Sequence, residues 1–171
     1  MATDEDLVRQ LVEGDEPALA ELLHRYERPL SHFIHRYSGG RDVEDLYQET
    51  WLRVVRHAAR FDRNKRFSTW LFQIAVNLCR DWQRRAVPEP SELADDVPAP
   101  DAVLPAEVRA DAGRLLATLP EPQREVVLLR YYQDLSEDDV ARILDCPKGT
   151  VKSRLHHALA RLAALVRGKD D

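Results

Sequence analysis

The chain has 171 residues, 44% of them hydrophobic, and 25 Lys and Arg against 30 Asp and Glu give a net charge of −5. That length suits one ordinary domain or two small ones, and no run of about 18 apolar residues is present to cross a membrane. Cys79 and Cys146 lack CxxC spacing, and the acidic start MATDEDLVRQ is unlike a secretory signal, so a reduced, cytoplasmic protein without a metal site is expected.

Charge is unevenly placed. Residues 1–87 balance to zero, residues 88–113 carry −6, and residues 114–171 carry +1. The deficit sits in one short stretch, so the flanking pieces remain able to present basic faces.

In chain order, apolar residues recur at helical spacing through Leu7–Val12, Ala18–Ile34, Val43–Ala58 and Trp70–Trp82. Gly14, Ser38-Gly39-Gly40 and the polar run Asp62–Arg66 separate these helices. On the helix over 41–59, Asp42, Asp45 and Glu49 share one narrow arc with Gln48 beside it, while Val43, Tyr47, Trp51, Val54 and Ala58 face the other way. On spacing alone, ordinary helix electrostatics accounts for this: acids near the N-terminus, Arg53 and Arg56 near the C-terminus, and a Glu49–Arg53 pair. The other reading is an acidic face that docks on a basic protein.

The stretch 61–85 mixes Arg63, Lys65, Arg66, Arg80, Arg84 and Arg85 with Phe67, Trp70 and Trp82. Cations that follow a phosphate backbone, interleaved with aromatic faces for unstacked bases, are what single-stranded nucleic acid needs. Most of these aromatics are nevertheless expected in the core, because Trp70, Ile74 and Leu78 keep i,i+4 spacing.

Residues 87–105 hold five of the ten prolines and show no helical period. Proline fixes φ and lacks an N–H, so an extended linker is expected. The predicted organisation is a domain over 1–87, an acidic linker over 88–105 and a second domain over 106–171.

Helices are predicted near 106–118, 122–132, 136–144 and 148–167, with Ser136 as an N-cap. The last two, joined by the short turn DCPK, form the pattern of a helix-turn-helix that lies in the DNA major groove. No acidic residue stands between Asp145 and Asp170, whereas Lys148, Lys152, Arg154, Arg161, Arg167 and Lys169 do. On a helical wheel Val151, Leu155, Leu159, Leu162 and Val166 form the expected core stripe. Lys152, Ser153, His156 and His157 fall opposite, suited to base edges and phosphates, and Lys148 and Thr150 occupy the first turn. No catalytic triad, phosphate-cradling glycine loop or metal spacing is visible, so neither an enzyme nor a cofactor is expected.

Taken together, these segments resemble the extracytoplasmic-function (ECF) group of bacterial RNA polymerase sigma factors. DVEDLYQETWLRV (42–54) is similar to the family's polymerase-binding motif, and FDRNKRFSTWLFQIAVNLCRDWQRR (61–85) to its minus-ten recognition region. LPEPQREVVLLRYYQDLSEDDVARILDCPKGTVKSRLHHALARL (119–162) is similar to its minus-35 domain. The resemblance implies an all-α protein of two small helical domains joined by the Pro-rich acidic linker, which would thread into the polymerase. It implies that Asp42, Asp45, Gln48 and Glu49 hold the clamp helices of the polymerase β′ subunit, with further contact to β. Minus-ten DNA would meet Arg63, Lys65, Arg66, Asn77, Asp81, Arg84 and Arg85, with a base flipped into a pocket. Minus-35 DNA would meet Lys148, Thr150, Lys152, Ser153, Arg154, His156 and His157. An anti-sigma factor is an expected partner and would hold the cytoplasmic protein inactive, in some cases near the membrane. His157 and Leu159 stand where many relatives carry arginine, so altered minus-35 contacts are expected. The alternatives are a helix-turn-helix regulator that binds operator DNA without polymerase, or a helical adaptor.

Overall fold

A computed structural model describes residues 1–85, 106–133 and 135–168. The expected linker, 88–105, lies outside the described residues. Every regular element within them is helical.

Helix α1 (Asp4–Val12) begins in a capping box. The Thr3 hydroxyl accepts from the Asp6 amide at 3.1 Å, and the Asp6 carboxylate accepts from the Thr3 amide at 3.3 Å. Helix α2 (Glu16–Ser38) runs through Pro29 and stops where Gly39 turns left-handed at φ 65°. Gly40 (φ 80°) and Asp42 (φ 50°) continue that turn into α3 (Val43–His57). Aspartate is among the few side chains that tolerate this region. A single 3₁₀ turn to Arg60 and the loop 61–66 then lead to α4 (Phe67–Arg85).

Phe67 opens α4 and is the centre of the first half. It is fully buried, and the rings of Tyr26, Trp51, Phe61 and Trp70 surround it at centroid distances of 5.4–6.5 Å. Its amide donates to Glu5 at 2.8 Å, which ties α1 to the start of α4. Phe61, Phe67 and Phe72 are buried core, whereas of the residues whose spacing predicts a core face only Leu78 is buried and Ile74 packs half-buried against the core. Trp70 and Trp82 remain half-exposed.

The second half comprises α5 (Ala106–Ala117), α6 (Glu121–Val127), α7 (Glu137–Leu144) and α8 (Lys148–Arg167). The helix expected over 122–132 is interrupted: α6 passes into a π turn over Leu128–Tyr132 that packs against α2. Ser136 caps α7 as predicted, accepting from the Asp139 amide at 3.1 Å. Asp145 (φ 51°) closes α7 in the left-handed region, and Pro147 starts α8.

The expected core stripe of α8 is corrected. Val151, Leu155 and Ala158 are buried and Leu162 is half-buried, but Leu159 is 44% and Val166 49% exposed. The reason is length. At about 1.5 Å per residue α8 runs about 30 Å, whereas its neighbours α6 and α7 each run little more than about 10 Å. Its far half outreaches them.

The two halves also pack on each other. α4 lies against α7, and the buried side chains of both halves form one contiguous cluster.

Candidate nucleic-acid interface

Three surfaces carry the predicted site residues. The first is α3. Asp45 and Gln48 are exposed, and Gln48 donates to Glu44 at 3.3 Å. Glu49 is half-buried and paired with Arg53 at 3.2 Å. Asp42 is set apart from them: its carboxylate accepts from the Trp82 indole at 2.8 Å, and the Arg41 guanidinium lies 5.0 Å above that ring. Asp45, Gln48, Leu52 and Val55 follow the i,i+3,i+7,i+10 row of one helix face, and both apolar members are about half exposed. An acidic patch thus runs directly into an apolar one. Leu52 and Val55 are absent from the sequence-level list because an exposed leucine has no local signature.

The second surface is the loop 61–66 and α4. Asp62 shapes the loop, its carboxylate accepting from the Asn64 amide at 3.0 Å and its carbonyl from the Lys65 amide at 2.9 Å. A cavity of about 710 Å³ opens beneath it. Phe61, Thr69 and Trp70 form its walls, and Lys65 and Arg66 line its basic side. The Thr69 hydroxyl is buried with no hydrogen-bond partner. Arg63, Lys65 and Arg66 are exposed, as are Asn77, Arg84 and Arg85 farther along α4. Asp81 is half-buried and accepts from Arg84 at 3.3 Å. From Arg66 to Arg84 this row spans about 27 Å of helix.

Two tertiary contacts of the same helix escape sequence reasoning. Gln73 donates to the Arg142 carbonyl at 2.8 Å. Arg80 makes a bidentate pair with Glu125 of α6, both contacts at 2.8 Å. Glu125 is only 2% exposed. The Tyr37 hydroxyl lies 2.7 Å from Glu125 and 2.8 Å from Glu121. Burial, reinforced by the Glu125 carboxylate, holds the Tyr37 phenol above its ordinary range. The hydrogen bonds to Glu125 raise Arg80 likewise. These partners are far apart in sequence, so no spacing announces them.

The third surface is α8. Lys148, Lys152, Ser153, His156 and His157 are exposed, and the two imidazoles stand 5.8 Å apart. Thr150 and Arg154 are half-buried, with the Arg154 guanidinium 4.0 Å from the Cys146 sulfur. The acid-free helix is not free of acids in space. Lys148 meets Asp138 at 3.4 Å and Lys152 meets Glu137 at 4.0 Å, both acids from α7. Exposed pairs of this kind contribute at most about 1 kcal/mol and are screened by salt, so phosphate can displace the carboxylates.

Among the described residues there is no cluster of potential metal ligands, and no helix is long and apolar enough to cross a membrane.

An acidic helix face, a basic loop over a cavity and a helix-turn-helix are thus present on one chain. Residues 22–88 match the family profile described as Sigma-70 region 2, and residues 109–162 match Sigma-70, region 4. The chain is 31% identical to the ECF RNA polymerase sigma-E factor of Haemophilus influenzae, over 91% of each chain. It is 30% identical to the ECF RNA polymerase sigma factor SigW of Bacillus subtilis, over 94% of this chain and 95% of the relative. Among solved structures it is similar to CnrH in complex with the cytosolic domain of CnrY, at TM-score 0.78 and 26% identity, covering 96% of this chain and 97% of that one. The chain belongs to the ECF RNA polymerase sigma factors. It is therefore a transcription initiation factor that directs core RNA polymerase to promoters.

Proposed function

We propose the division of labour among its three surfaces. The α3 row of Asp45 and Gln48, extended by Glu49, Leu52 and Val55, holds the clamp helices of the β′ subunit. Asp42 serves this face indirectly, by fixing the turn into α3 through Trp82. The loop with Arg63, Lys65 and Arg66 and the α4 row of Asn77, Asp81, Arg84 and Arg85 bind the unpaired minus-ten strand. The cavity under the loop receives a flipped base, against Phe61 and Trp70. On α8, Lys148, Thr150, Lys152, Ser153, Arg154, His156 and His157 read the minus-35 duplex, with the linker 88–105 joining the two readers through the polymerase.

The observation that carries this reading is the cavity, because its basic side and aromatic walls suit an unstacked base. Unstacking costs a few kcal/mol, which such a pocket and the polymerase contacts offset. The protein has no catalytic step of its own, acts in the cytoplasm, and is restrained by an anti-sigma protein. The similar protein CnrH is solved with a bound protein domain, the cytosolic domain of CnrY, which is in keeping with a protein partner of this kind.

Run-off transcription tests the reading. Core polymerase lacking any sigma factor is incubated with a promoter library, with and without the chain. Discrete start sites preceded by a shared two-part element are expected, and Asp45→Arg should abolish them. Specific binding of the free chain to duplex DNA, without polymerase-dependent transcripts, would instead establish an operator-binding regulator.

A further inference from the structure

Arg66, Gln73 and Arg80 are seven residues apart. Residues at that interval stay on one stripe of a helix, drifting by about 20° per step. Each member of the stripe is bonded to the second half: Arg66 to Asp139 at 3.2 Å, Gln73 to the Arg142 carbonyl at 2.8 Å, and Arg80 to Glu125. Gln133 adds a fourth link, donating to the Pro29 carbonyl of α2 at 3.1 Å. Arg142 and Asp145, at the end of α7, line the same cavity that Phe61 and Trp70 wall.

The chemistry of these links matters more than their number. Glu125 presents two carboxylate oxygens to the Arg80 fork, the bidentate arrangement with which a guanidinium also takes a phosphate. A carboxyl group that is 2% exposed is tolerated only because Arg80 and Tyr37 satisfy it. If the halves separate, Glu125 regains water and Arg80 regains a free fork. A buried ion pair is close to balanced between desolvation and attraction, so a competing phosphate tips it, which an all-apolar interface would not permit.

We infer that the chain shuts itself through the Arg80–Glu125–Tyr37 cluster, in which Glu125 stands in for a backbone phosphate and withholds the Arg80 fork from single-stranded DNA. Arg80 is then a DNA-binding residue whose partner is exchanged on opening. The inference rests on the proposed minus-ten role of α4, but the closure itself is measured without reference to that role.

The test uses the full chain in two measurements. Small-angle scattering should give the wild type a radius of gyration of about 16 Å, that of one compact body of this length. Glu125→Gln, shown by circular dichroism to keep its helix, should be larger by at least about 3 Å. Anisotropy with a labelled 12-nucleotide single-stranded DNA of mixed sequence should show about fivefold tighter binding by Glu125→Gln than by Glu13→Gln, which removes the same charge far from the interface. The double variant Glu125→Gln with Arg80→Gln should open equally and lose most of that gain. If Glu125→Gln loses helix, Arg80→Gln breaks the pair from the other side and is read by scattering. An extended wild type overturns the inference outright, as does a folded Glu125→Gln that stays compact or binds no better than the charge control. An open chain that still supports promoter-directed run-off would leave the sigma-factor role standing and remove only the closure.

Discussion

Cys79 is fully buried, and burial together with the nearby Glu125 carboxylate pushes its thiol up to about 12 from 9.0. The sign of the consequence follows from proton counting. As pH rises past 9.0 the unfolded chain releases this proton while the folded chain keeps it, so the unfolded state binds fewer protons and stability falls until about pH 12. Burial also raises the Tyr26 phenol, and that acts in the same direction at higher pH. Urea midpoints measured from neutral pH to about pH 11 should therefore decline, and Cys79→Ala should make the decline shallower. Ser136 offers a test of a helix cap, and its hydroxyl also donates to the Asp139 carboxylate at 2.8 Å. Its hydroxyl accepts the Asp139 amide at the start of α7, so Ser136→Ala should cost about 1 kcal/mol of unfolding free energy without altering the fold.

At the scale of elements, α8 shows what a helical wheel does and does not decide. Leu155 and Leu159 lie one turn apart on the predicted stripe, yet only Leu155 is buried. Leu155→Ala should destabilise by about 2–5 kcal/mol, whereas Leu159→Ala should fall within about 0.5 kcal/mol, and chemical denaturation of the pair measures the difference. Angular position is written in the sequence, but the reach of the neighbouring helices is not. The same distinction explains the rest of the site. The helices, the Ser136 cap and the helix-turn-helix were legible because each rests on contacts three or four residues apart. Spacing also put Asp45 beside Gln48 on α3, but the polymerase-binding role proposed for them came from the family resemblance. The tie of Asp42 to Trp82, the acids of α7 that face Lys148 and Lys152, and the Arg80–Glu125 pair were not legible, because tertiary packing alone brings those partners together.

For the whole molecule, one contiguous core predicts one unfolding event. Trp51, Trp70 and Trp82 all lie in the first half, so indole fluorescence reports that half, while circular dichroism reports every helix. The two transitions should coincide in the wild type. Separate transitions would show that the halves fold independently despite their shared packing. Beyond this core stands the spur of α8, whose residues past Leu162 are exposed on every side through Gly168. Its side chains are exposed, so local opening there is more loosely coupled to the global event. Backbone amides along this single helix should accordingly exchange with deuterium at graded rates, slow beside Val151 and fast near Val166. Thus the segment proposed to meet the major groove is the best-anchored part of its own helix, and the far turns can fray without disturbing it.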